Sequence, residues 1–117
     1  MKKDSLIFVE HILDSIKNIE DFIKKVSKES FFKNKEKQSA IIRQIEIIGE
    51  AVKNLPLEFK EKYPDIPWKD IAGMRDKLMH HYFGVDIEKV WATLKEDIPE
   101  LKKQIKEISK NRSENIK

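Results

Sequence analysis

The sequence predicts an all-α protein, an antiparallel four-helix up-and-down bundle with a short extra helical turn. Three observations carry this. Apolar residues recur at three- and four-residue steps through most of the 117 positions; only three glycines and four prolines interrupt them; and 38% of residues are charged against 39% hydrophobic. Such a composition fits helices with densely charged outer faces. The length has room for one domain with a single core. That domain is expected over residues 1–110, with 111–117 as a frayed tail that lacks an apolar period.

Phe8, Ile12, Ile16, Ile19, Ile23 and Val26 predict a first helix over about residues 5–28, capped by Asp4 or Ser5. The polar run KESFFKNK then breaks it. A second helix, over about 35–54, carries Ile41, Ile45, Ile48, Val52 and Leu55 on one face. Ile42 and Ile47 lie off the centre of that stripe and hint at a second buried face. Pro56 stops this helix, LEFKEKY forms a short helical turn, and Pro67 suits the first position of a third helix over about 67–82. Gly84 suits a helix C-terminal turn and Asp86 the next N-cap. Ile87, Val90, Trp91, Leu94, Ile98, Leu101, Ile105 and Ile108 form the last stripe, with a bend expected near Pro99. Each stripe is too apolar to stay wet and can be covered only by the others.

The absence of cysteine excludes disulfide frameworks, thiolate zinc sites and cysteine nucleophiles. It fits a reducing compartment, so a cytoplasmic location is expected. The opening MKKDSLIFVEHILDSIK is amphipathic and interrupted by Glu10, His11 and Asp14, which predicts neither a signal peptide nor a membrane span. A net charge of +3 permits contact with RNA without requiring it. The lysine clusters near residues 24–37 and 102–117 read as solvated helix ends.

Chemistry concentrates in GMRDKLMHHYFG, residues 73–84. Arg75, His80 and Tyr82 have the spacing Arg-x4-His-x-Tyr, and Asp76 stands four residues before His80 on what would be one helix face. A carboxylate there would fix the imidazole tautomer and raise its basicity. Arginine offers a permanent charge and a planar fork of donors matched to phosphate oxygens. Cleaving a ribose phosphodiester takes a base for the 2′-OH, a cation for the phosphorane-like transition state and an acid for the leaving 5′-oxygen. His80 and Arg75 can supply the first two.

No metal or other cofactor is expected: HxH and HExxH patterns are absent, and adjacent His80 and His81 point about 100° apart on a helix. Geometry is the difficulty, because five helical residues separate Arg75 and His80 by about 140° in projection. Either the helix unwinds near His80, or a two-fold partner brings a second pair beside the first and the site lies at a dimer seam. Plainer readings exist for each residue alone. Arg75 on an apolar stripe can snorkel or pair with a buried glutamate, His80 can serve a helix terminus, and Tyr82 can be a core or interface tyrosine. His81 and His11 read as surface residues.

The segments IIGEAVKNLP, YPDIPWKDIAGMRDKLMHHYFGVD and VWATLKEDIPELKKQI resemble the HepT branch of the HEPN superfamily over roughly residues 40–106. The resemblance implies a HEPN-like helical homodimer with metal-independent endoribonuclease activity, the toxin half of a module whose antitoxin is a minimal nucleotidyltransferase. Arg75 and His80 match that family's catalytic pair, and Tyr82 matches the tyrosine that the antitoxin modifies with AMP. Many relatives carry asparagine where this chain has Asp76, which leaves open whether Asp76 orients His80 or weakens RNA affinity. Glu50, in the IGEA segment, is a candidate supporting partner for an arginine, although on an ideal helix it sits opposite the Ile41 to Val52 stripe.

The expected function is therefore an RNA-cleaving toxin acting at a dimer cleft, free of any membrane. It would be neutralised by AMP addition to Tyr82 and able to assemble further with its antitoxin. Two alternatives use the same sequence: a catalytically inactive module that binds the nucleotidyltransferase and serves as its modification substrate, or a purely structural helical dimer.

Overall fold

A computed structural model describes residues 3–80 and 84–116, with side chains over 5–79 and 84–110. Helix α1 (Lys3–Ile23) packs along α3 (Lys35–Asn54), with the short α2 (Lys28–Lys33) between them. Next come α4 (Leu57–Glu61), α5 (Trp68–Ala72) and α6 (Met74–Leu78). Strands β1 (Met79–His80) and β2 (Gly84–Val85) form a minimal antiparallel ladder. The chain closes with α7 (Ile87–Ala92), a π-helical turn over Thr93–Asp97 and α8 (Ile98–Ile116), which returns onto α1. This is an all-α bundle of HEPN-like class.

The core follows the apolar stripes. Ile12, Ile16 and Ile19 of α1, Ile41, Ile45, Ile48 and Val52 of α3, and Leu94, Ile98, Leu101, Ile105 and Ile108 at the C-terminal end are buried together. Full burial contributes about 1.5–3 kcal/mol for each such side chain. Ile42 and Ile47, the hint of a second face, are half-buried. Polar ties fix the helices relative to one another. Lys102 Nζ reaches Glu20 Oε2 at 2.7 Å, linking α8 to α1, and Asn18 donates to Gln44 at 3.2 Å, linking α1 to α3.

Several boundaries differ from expectation. Helix α1 begins at Lys3 and ends at Ile23, so Asp4 and Ser5 lie within its first turn rather than capping it. Lys25, at φ 61°, turns the chain just beyond that helix. The expected polar break instead contains α2, because Ser27 caps it by accepting from the Ser30 amide and Phe31 is fully buried against the Trp91 ring at 5.3 Å. Gln38, itself buried, donates to the Phe31 and Phe32 carbonyls and thus satisfies the end of α2 from α3.

Where a bend is expected near Pro99, the helix takes a π-helical turn over Thr93–Asp97, and the Ile98 amide donates back five residues to Thr93. Proline has no amide to donate and its ring crowds the carbonyl four residues earlier; a widened turn relieves both. Helical backbone continues to Ile116, through most of the segment expected as a tail. Among the described residues, no helix is long and apolar enough to cross a membrane.

The candidate functional site at the α3–α6 seam

The expected helix over 67–82 is two short helices followed by extended chain. Pro67 opens α5, and the Trp68 indole donates to the carbonyls of Lys60 and Tyr63 at 3.1 Å, anchoring α5 to the chain around α4. Gly73, at φ −95° and ψ 6°, separates α5 from α6. Helix α6 ends at Leu78 because Met79 is extended, at φ −104° and ψ 135°. The Leu78 carbonyl then accepts from the Asp86 amide at 2.7 Å instead of from a next helical turn. Gly84, expected to end a helix, lies in β2 at φ 80°, a conformation that side chains disfavour. Asp86 caps α7 as expected, accepting from the Lys89 amide at 3.2 Å.

This break changes the relation between Arg75 and His80. Arg75 lies on α6, whereas the His80 backbone lies in β1, paired with Gly84. The angle calculated for a continuous helix therefore no longer separates them, and the helical i,i+4 relation between Asp76 and His80 is lost. The position of the His80 side chain, and all of His81 and Tyr82, lie outside the described residues. His11 is exposed on α1, edge-on to Phe8.

Arg75 is held from α3. Its Nε lies 3.2 Å from Glu46 Oε2, and one terminal nitrogen lies 3.6 Å from Asp76 Oδ1. Nε itself is buried, but its N–H does not point along the contact with Glu46, so the pairing is ionic rather than a hydrogen bond. The side chain as a whole is 42% exposed. Glu46 is in turn gripped by Arg43 one turn earlier on α3. One carboxylate thus sits between two guanidinium groups. Glu50 does not join them: it is exposed and pairs with Lys53 at 3.8 Å.

What brings α3 this close is Gly49. A Cβ there would stand 3.1 Å from the Ala72 carbonyl oxygen at the end of α5, tighter than ordinary van der Waals contact. Three residues back along α3 is Glu46; three residues on from Ala72 is Arg75. The two steps run the same way in an antiparallel crossing, and they place the ion pair one turn from the backbone contact. Glu46 was not singled out in the sequence, although helical period puts it on the Gly49 face.

A separate groove of about 550 Å³ opens on another side of α6, where Met74, Lys77 and Leu78 face Thr93 and Leu101. Arg75 does not line it. Among the described residues, no group of histidines and carboxylates could hold a metal ion.

The fold is an all-α bundle of the HEPN-like kind, and its candidate site sets Arg75 at a helix seam with the His80 backbone just past the helix end. Residues 12–108 match the family described as Ribonuclease HepT-like, and the chain belongs to that family of ribonucleases. It is 47% identical over 110 residues to a Thermococcus cleftensis protein named "Probable ribonuclease HepT", covering 94% of this chain and 100% of the other. It is 52% identical over 101 residues to a "Putative RNase" of Caldanaerobacter subterraneus, covering 86% and 90%. A longer Methanocaldococcus jannaschii protein named "Gamma-glutamylcyclotransferase and putative RNase" is 51% identical over 117 residues; this chain spans 97% of itself but only 53% of that protein. No solved structure matches the chain.

Proposed function

We propose that the chain is a metal-independent endoribonuclease toxin that cleaves RNA with Arg75 and His80 at a cleft between two subunits, in the cytoplasm. The observation that supports this most is the guanidinium of Arg75, ion-paired at Nε with Glu46 while the side chain stays 42% exposed and one terminal nitrogen has a 3.6 Å contact to exposed Asp76, one turn from a helix end that His80 follows. A half-anchored guanidinium keeps its geometry while its outer N–H groups meet phosphate. His80 takes the proton from the ribose 2′-OH, and the 2′-oxygen bonds to phosphorus. The P–O5′ bond breaks, and the leaving oxygen takes a proton from an acid supplied by a second copy of the site. The products are a 2′,3′-cyclic phosphate and a 5′-OH end. Arg75 stabilises the extra negative charge of the transition state.

Tyr82, two residues beyond His80, is the acceptor of AMP from a minimal nucleotidyltransferase antitoxin. Phosphate and nucleotide placed there exclude RNA by charge and volume. Purified protein should cleave single-stranded RNA in EDTA, and Arg75→Ala and His80→Ala should each abolish cleavage while circular dichroism stays unchanged. Cleavage surviving in both variants rejects the site, and sensitivity to EDTA rejects the metal-independent mechanism. Tyr82→Phe should keep cleavage and lose AMP transfer; unchanged transfer rejects Tyr82 as acceptor.

A further inference from the structure

Around the end of α3, a second open groove of about 580 Å³ is lined by Lys53, Lys60 and Lys69, with Glu61 as its one acidic residue. Its floor includes Trp68 and Ala72, and Leu57 stands 71% exposed at its edge. Among the described residues, neither Lys60 nor Lys69 has a carboxylate within ion-pair distance, and Lys53 has only the long contact to exposed Glu50. The groove therefore carries a net positive charge in a concave surface, where the field of each ammonium is reinforced by the others.

Its position relative to Arg75 gives that charge a direction. Ala72 lines the groove and its carbonyl meets α3 at Gly49; Arg75 lies one turn beyond that contact and Lys53 one turn on the other side. Glu46, Gly49 and Lys53 share one face of α3, and seven residues of helix separate Glu46 from Lys53 by about 10 Å. The lysine groove thus continues the seam that holds Arg75.

We infer that this groove binds the sugar-phosphate backbone of the RNA strand on one side of the scissile linkage, with Lys53, Lys60 and Lys69 each meeting a phosphate. This rests on the reading of Arg75 as the group that meets the scissile phosphate. Lysine suits the role as a point charge on a flexible stem, which neutralises phosphate without reading sequence. A protein partner would be matched to the apolar edge at Leu57, but three ammonium groups against Glu61 and the long contact of Lys53 to Glu50 favour a polyanion.

The test is a fluorescence-anisotropy titration with single-stranded 2′-O-methyl RNA of about twelve nucleotides, which binds but lacks the attacking 2′-OH. Lys53→Gln, Lys60→Gln and Lys69→Gln combined should weaken binding several-fold and reduce the slope of log affinity against log salt by about 2. The same charge change at exposed Lys17, Lys24 and Lys106, outside the groove, should leave both values close to the parent protein. Circular dichroism checks that both triple variants are folded. Equal weakening by the two sets, or no weakening by the groove set, overturns the proposal; the latter is the result expected of a protein-docking groove. The catalytic reading fails separately, if Arg75→Ala still cleaves RNA, and the titration with uncleavable RNA does not depend on it.

Discussion

Arg75 and Glu46 meet across the α3–α6 seam with Nε 3.2 Å from Oε2, at a contact where neither side chain is fully buried. Such a pair contributes about 0–1 kcal/mol to stability, because water screens it. Its value lies in orientation. Glu46→Ala should therefore lower kcat by about 10–100-fold, as loss of positioning does, while thermal unfolding shifts little. KM should not rise, because Glu46 also competes with phosphate for the guanidinium. An unchanged kcat in this variant would remove Glu46 from the site.

Arg75→Lys keeps the positive charge but replaces a planar fork with a single ammonium that cannot be anchored at one nitrogen while others face substrate. The expected loss in kcat is about 10²–10³-fold, comparable to removing one transition-state donor. Full activity in this variant would mean that charge alone is needed.

At Gly49, stability and activity should separate. Alanine improves helix propensity by about 1 kcal/mol, which offsets the crowding against the Ala72 carbonyl, so the midpoint of urea unfolding should change little. Activity should fall nonetheless, because α5 and α6 move outward by a few tenths of an ångström and carry Arg75 away from Glu46. Gly49→Val, with two more carbons at the same contact, should cost about 1–3 kcal/mol. Wild-type activity in Gly49→Ala would show that the seam tolerates the shift.

Phe31 is fully buried against Trp91. Phe31→Ala should destabilise the bundle by about 3–5 kcal/mol, measured by urea unfolding. A loss below about 1 kcal/mol would show that α2 is not part of the core.

Much of the bundle was legible in the sequence because helical period and burial are the same fact seen twice. Ile41, Ile45, Ile48 and Val52 recur on one face, and all four are fully buried. Asp86, expected as an N-cap, caps α7 through its own side chain, a local interaction that sequence can express. Helix α2 was hidden because a six-residue helix has too little period to register, and its one buried ring depends on Trp91, sixty positions away.

The candidate site divides along the same line. Residue types and spacing alone picked out Arg75, Asp76 and His80 as chemistry out of place on an ordinary helix. They left open whether the helix would unwind before His80; it stops at Leu78, where the amide that completes its last carbonyl belongs to Asp86. They pointed to Glu50 and passed over Glu46: the two differ by one turn, and helical period places them only about 40° apart. The crossing of Gly49 over Ala72 decided it, placing Glu46 against Arg75 and leaving Glu50 to Lys53. Sequence by itself determined the long amphipathic helices and the candidate reactive side chains, because period and ionisation are properties of the chain. Only tertiary structure decided which carboxylate holds the arginine, because that depends on where two helix backbones approach.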